Sequence, residues 1–278
     1  MGQGSARPAP TEVHRMKSFP ISAGRRLALL PLLAVAAPAV PASHPAPSLQ
    51  PVATPSAHLP EAELAARLAE VAPAASPEVL KLAARAMSCA LRDPALGVDP
   101  QRLGVIDYSR PSTEPRMWVF DLARSQLLFE EWVAHGRNTG ENLAKKFSNA
   151  EGSYMTSLGA FTAQETYMGG NGYSLRLRGL EPGFNDRARE RAIVIHGAPY
   201  VNPAAAKLQG RLGRSLGCPA VRPQVARKLI DTLRDGTFLF AYYPDREWLQ
   251  RSRLLSGDCG GAASVAAHAK AAGPQAGS

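Results

Sequence analysis

The chain has 278 residues, 32 of them Lys or Arg and 23 Asp or Glu, for a formal net charge of +9; 45% are apolar and 3 are cysteine. That length allows one or two domains with a sizeable core, and the apolar content with a charged fraction of 20% excludes a wholly disordered chain. Three cysteines exclude a disulfide-dense scaffold and a four-cysteine zinc site.

The first expected element is a targeting segment over residues 1–42. Arg7, Arg15, Lys17, Arg25 and Arg26 precede the uncharged run from Leu27 to Val40, and the small-residue site Val40-Pro41-Ala42 precedes Ser43. Basic, apolar and small-residue regions in that order read as a secretory signal peptide, starting at Met1 or Met16. The apolar run is interrupted by Pro31 and Pro38 and is too short for roughly 30 Å of hydrocarbon, so no stable membrane span is expected after cleavage. The expected location is the periplasm. Removing residues 1–42, with five bases and one acid, leaves a net charge of +5. That balance suits an anionic envelope polymer; nucleic acid is not expected as a partner, because no zinc-finger, RNP or P-loop motif accompanies the charge.

Residues 43–58 are rich in Pro, Ala and Ser without periodicity and read as a disordered linker. A helical accessory segment is expected over 59–95. Its first helix follows Pro60, with Leu64, Leu68 and Val71 on one face; its second follows the Ser76-Pro77 start signal, with Leu80, Ala84, Met87 and Leu91. From Val105 the apolar period becomes two. Residues 116–122 alternate as a half-buried strand, 127–133 as another, Ile193-Val194-Ile195 as a strand covered on both faces, and 237–243 as a last aromatic-rich strand. One helix starts at Pro223, with Val225, Leu229 and Leu233 on its buried face. The fold expected is mainly β: a β-rich catalytic domain over 102–246 with one or two short helices, followed by a disordered tail over 255–278.

Two segments carry chemistry: Ile193-Val194-Ile195-His196-Gly197-Ala198-Pro199-Tyr200 and Gly213-Arg214-Ser215-Leu216-Gly217-Cys218-Pro219-Ala220. A glycine before a cysteine lets the backbone bend sharply, projecting the thiol and letting main-chain N–H groups converge. Nucleophile and oxyanion donors are what acyl transfer needs. A thiol with a free pKa of roughly 8.5 needs a base or a cation, and His196 can take the proton. From the residues alone, a buried structural cysteine competes with this reading.

The wording around the pair resembles the murein L,D-transpeptidase catalytic-domain family (YkuD-like), in particular the subgroup written His-Gly-Ala…Gly-Arg-Ser-x-Gly-Cys-Pro-Ala. The likeness continues upstream through Asp107-Tyr108-Ser109, Val133-Ala134-His135-Gly136, Phe147-Ser148-Asn149, the stretch 152–159, Glu165-Thr166-Tyr167, Tyr173-Ser174-Leu175-Arg176-Leu177 and the stretch 179–185. The resemblance implies the L,D-transpeptidase fold, Cys218 as nucleophile and His196 as base. It further implies the Gly197 carbonyl as the imidazole's orienting partner and the N–H groups of Gly217 and Cys218 as the oxyanion hole. Peptidoglycan stem peptides are the implied partner, handled by a monomer without any cofactor. Many relatives have a second histidine where this chain has Leu216, read as a wall of the pocket.

Arg211, Arg214 and Tyr154 are candidate substrate-binding residues, since guanidinium forks suit substrate carboxylates; Arg222 has the same chemistry. Ser215 is also a candidate there, with a hydrogen bond inside the turn as its alternative. His135 ends a strand and reads as structural. Met168-Gly169-Gly170-Asn171-Gly172 lacks the Gly-Lys-Ser/Thr of a phosphate loop and reads as a turn, and no metal is expected, because His135, His196 and Cys218 lack local ligand spacing. Cys218 must stay reduced to act, so Cys89 and Cys259 are the candidates for a disulfide, the alternative being a buried thiol and a free one.

Overall fold

A computed structural model describes residues 60–257 and 259. The expected signal peptide, the linker and most of the expected tail lie outside these residues. Among the described residues no helix is long and apolar enough to cross a membrane.

Helices α1 (Glu61–Val71) and α2 (Pro77–Ala90) come first, followed by a 3-10 turn at Pro94–Leu96. Nine strands make one sheet: β1 (Asp99–Asp107), β2 (Met117–Asp121), β3 (Gln126–Glu131), β4 (Val133–Ala134), β5 (Gly159–Gly169), β6 (Gly172–Gly179), β7 (Val194–Gly197), β8 (Ala220–Val221) and β9 (Thr237–Tyr242). Helix α3 (Pro203–Gln209) precedes β8, α4 (Pro223–Leu233) follows it, and α5 (Arg246–Arg251) and α6 (Arg253–Ser256) follow β9. The strand order is β3-β2-β1-β9-β5-β6-β7-β8-β4. β1 with β9 and β7 with β8 are parallel; the other pairs are antiparallel. The two ends of that order, β3 and β4, are separated in sequence by Trp132 alone, so the sheet curls into a nearly closed barrel.

Strand alternation sorts side chains into two cores. Trp118 and Phe120 of β2, Leu103 and Val105 of β1, and Phe238 and Phe240 of β9 face one cluster, shared with α1, α2 and Trp248. Met117, Val119, Ile106, Leu239 and Ala241 face the other, with Leu175, Ile195 and the α4 residues Leu229, Ile230 and Leu233. β2 is therefore buried along its whole length rather than half-buried, because helices cover the face that alternation alone would leave to water. α2 is part of this core: Leu80, Ala83, Ala84 and Ala86 are fully buried.

Other departures from expectation have local causes. Residues 203–209, for which no element was expected, form α3, started by Asn202, whose side chain accepts from the N–H groups of Ala204 and Ala205, and by Pro203 in the first turn. Leu255 and Ser256, expected in the tail, end α6, because Leu254 and Leu255 bury against the first core. Cys89 and Cys259 form a disulfide with Cα atoms 5.0 Å apart, and Cys218 is the free cysteine among the described residues.

Candidate active site

β7 carries His196 between two neighbouring strands, paired to Ser174 of β6 on one side and to Ala220 of β8 on the other. Ala220 follows Cys218 by two residues, so parallel pairing of two short strands brings together groups 22 positions apart in sequence. His196 is 4% exposed, and its Nδ1 lies 3.1 Å from the Gly197 carbonyl oxygen. If that nitrogen carries the proton, Nε2 is left free to accept one. Burial lowers the His196 pKa against the opposing effect of the Gly197 carbonyl, so the ring is neutral near pH 7. Gly197 cannot be larger: a Cβ there would come within 2.8 Å of the Ala226 Cβ on α4.

The nucleophile turn is held from several sides. Gly217 has φ +128°, a conformation L side chains rarely adopt, and a Cβ there would lie 2.9 Å from the Met155 carbonyl oxygen. The Ser215 hydroxyl donates to the Cys218 carbonyl at 2.6 Å and accepts from the Gly217 N–H at 3.1 Å. The Ser215 N–H donates to the His135 carbonyl, and the Arg137 N–H to the Ser215 carbonyl. The Thr156 hydroxyl donates to the Gly217 carbonyl and accepts from the Gly136 N–H. Of the two N–H groups expected to form the oxyanion hole, that of Gly217 donates to the Ser215 hydroxyl, whereas that of Cys218 has no acceptor among the described residues.

The Cys218 Sγ lies 3.7 Å from the Ala192 carbonyl oxygen, and no hydrogen bond joins it to His196 among the described residues. Burial pushes the thiol pKa up; a backbone hydrogen bond at Val194 and the charge of Arg191 pull it down. A partly buried thiol near a neutral histidine is a protonated nucleophile that is activated when its proton is taken, rather than a standing ion pair.

The candidate substrate-binding residues fall into two groups. Arg211 and Arg214 both meet Glu141, at 2.8 and 2.6 Å, and Arg214 also donates to the Arg137 and Gly140 carbonyls. Arg222 makes a two-pronged pair with Glu131. These guanidiniums are occupied within the chain, and Ser215 is turned into its own loop. Tyr154, with φ +54° and 38% exposure, stays at the surface with Arg137 4.2 Å over its ring. Leu216 is exposed beside the nucleophile. His135 is structural: Arg116 donates to its Nδ1 at 2.9 Å, which leaves Nε2–H to donate to the Gly140 carbonyl at 3.2 Å. Sequence reasoning missed Thr156, Arg191 and Ala192, whose contacts with the turn depend on strand pairing. The positive φ of Ala192 at +53° carried no sequence signal.

Residues 72–242, which include both His196 and Cys218, match the L,D-transpeptidase catalytic domain. The chain belongs to that family. No curated protein sequence matches it. Among solved structures it is similar to an L,D-transpeptidase from Mycobacterium smegmatis at 16% identity and a TM-score of 0.33, over 51% of this chain and 59% of that one. Similarity to Mycobacterium tuberculosis L,D-transpeptidase 1 is 13% identity and a TM-score of 0.29, over 51% and 62%. A fused Zn-dependent amidase/peptidase/peptidoglycan-binding protein from Clostridium acetobutylicum gives 18% and 0.32, over 60% and 62%. The chain thus spans less than two thirds of the length of these structures. Family membership rests on the match over 72–242 and not on these scores.

Proposed function

We propose that the chain is an exported L,D-transpeptidase of peptidoglycan that acts as a monomer through Cys218. The observation that carries this reading is the β7–β8 pairing, which sets a buried, neutral His196 beside the turn of the one free cysteine among the described residues. Export is supported by the Cys89–Cys259 bond, which suits an oxidising compartment, and by the charge pattern of residues 1–42.

The Cys218 side chain turns from Ala192 toward His196, gives up its proton to Nε2, and attacks the carbonyl of the third residue of a tetrapeptide stem. The Cys218 N–H faces the developing oxyanion. Collapse of the tetrahedral intermediate returns the proton to the amine of the terminal D-alanine, which leaves, and a thioester remains. An acceptor amine of a second stem then loses a proton to His196 and displaces the thiolate, forming a 3→3 cross-link. The Gly197 carbonyl keeps Nδ1 protonated throughout, the part a third triad member plays. Side-chain and main-chain groups suffice for every step, so no cofactor is invoked.

Incubation of the purified protein with tetrapeptide muropeptides, followed by mass spectrometry, tests the reading. Release of D-alanine with a 3→3 dimer is expected. Tripeptide alone would make water the acceptor, transfer to a protein lysine would make it an anchoring enzyme, and an unchanged substrate would leave a wall-binding protein without catalysis.

A further inference from the structure

The guanidinium of Arg191 occupies an unusual place. It sits on the loop that enters β7, one residue before the Ala192 carbonyl that touches the thiol, and it is half-buried. Nη1 donates to the Ser148 carbonyl at 2.7 Å and the Ser157 hydroxyl at 2.5 Å; Nη2 donates to the Ser153 hydroxyl at 3.2 Å and the Met155 carbonyl at 2.8 Å. All four acceptors are neutral, and no carboxylate pairs with Arg191 among the described ion pairs. A methyl group placed on Gly217 would lie 3.6 Å from Nη2, so the charge rests against the nucleophile turn itself.

Arg191 contrasts with Arg211, Arg214 and Arg222, whose charges are met by Glu141 and Glu131. A half-buried cation without a counter-ion is costly to hold unless something gains from it. The gain lies at Cys218, whose sulfur feels this charge and which becomes an anion during the reaction. The other titratable groups near the sulfur supply no compensating cation. Burial keeps His196 neutral, and burial first, with the thiol's own field second, keeps Tyr200 protonated; Tyr108, at the end of β1, is likewise held protonated by burial despite the nearby Arg116.

We infer that Arg191 is a positioning residue for the nucleophile: through four neutral clamps to residues 148–157 it fixes a positive charge beside the Gly217-Cys218 turn and steadies the Cys218 thiolate as His196 removes its proton. The inference rests on Cys218 being the nucleophile. It adds a cationic partner to a site whose base is neutral at rest, and it explains why the 148–157 loop wraps the guanidinium rather than leaving it to solvent.

With Cys89 and Cys259 bonded, alkylation by iodoacetamide reports on Cys218, and the pH dependence of its rate gives the thiol titration in the full chain. For Arg191→Gln, with folding checked by near-UV circular dichroism, the half-point moves to higher pH and the rate at pH 7 falls about tenfold, the usual scale for losing a nearby opposite charge. Arg191→Lys keeps the charge and stays within a few-fold of the parent. Arg191→Met, which retains the apolar stem, serves as a second neutral variant should the glutamine variant not fold. A neutral folded variant whose profile overlays the parent overturns the inference, as does equal displacement in the lysine and neutral variants, which would mean that the clamp matters and the charge does not. Muropeptide turnover, measured in parallel, reports on the transpeptidase reading alone.

Discussion

Removing the Cys89–Cys259 bond perturbs the fold without touching the active site. The bond joins residues 170 apart in sequence, tying α2 to the segment just past α6. On the chain-entropy relation, cross-linking a loop of that length destabilises the unfolded state by about 5 kcal/mol at 25 °C, an upper figure because native strain and residual denatured structure reduce it. The site is well placed to deliver much of it: Cys89 is 3% exposed in the first core, and Cys259 packs against the same cluster. With an m value of roughly 2 kcal/mol/M, a loss of a few kcal/mol lowers the urea midpoint by about 1–2 M. The comparison is between the oxidised chain and the Cys89→Ala/Cys259→Ala double variant, read by far-UV circular dichroism. Denatured, unreduced protein should also titrate a single thiol. Superimposable urea curves, or three thiols before reduction, would refute the reasoning and remove one support for an oxidising destination.

Three further outcomes follow from the site and its surroundings. Cys218→Ala abolishes cross-linking, hydrolysis and covalent mass gain from a carbapenem together, since all need the same sulfur; residual labelling would point to Cys89 or Cys259. His196→Ala leaves a folded protein whose carbapenem acylation slows by about 10²–10⁴-fold, the span for losing a general base; acylation at the parental rate, followed by stopped-flow or intact mass, would assign proton removal to another group. Burial, reinforced by Arg116, lowers the His135 pKa to about 3 from the ordinary value near 6.5, so this group's contribution is complete above pH 6.5 and is lost as pH falls toward 3. The urea midpoint of the parent should therefore drop more between pH 7 and pH 4 than that of His135→Gln, and parallel drops would show that His135 does not set acid stability.

How much of this was legible beforehand depended on how local the cause was. The β2 alternation of Met117, Val119 and Asp121 against Trp118 and Phe120 was visible, but period two cannot say whether the second face is wet. α2 settles that, and α2 is placed by contacts remote from β2 in sequence. α3 was legible in principle, because Asn202-Pro203 is a start signal, yet the helix is only seven residues long and its single buried residue, Ala206, leaves almost no periodicity to read. The disulfide candidates came from chemical elimination, one thiol having to stay free; that they are close enough to bond came only from the packing of α6 under α2.

The arginines show the limit most sharply. Arg211, Arg214 and Arg222 lie within seven positions of Cys218, and nearness in sequence made them the natural anchors for a substrate carboxylate. Their partners Glu141 and Glu131 stand about 70 to 91 positions upstream, on the strands and turns that close the barrel, so their charges are spent on holding its edges together. Arg191, 27 positions from the cysteine, donates to serine hydroxyls and carbonyls alone and rests on the turn that carries the thiol. The same side-chain type is structural in one place and chemical in another because of what it is paired with. Pairing is fixed by sheet order, through β7 entering between β6 and β8, and not by distance along the chain. For a nucleophile that is partly buried and protonated at rest, Arg191, a cation at its turn without a carboxylate partner, is therefore the one to mutate first.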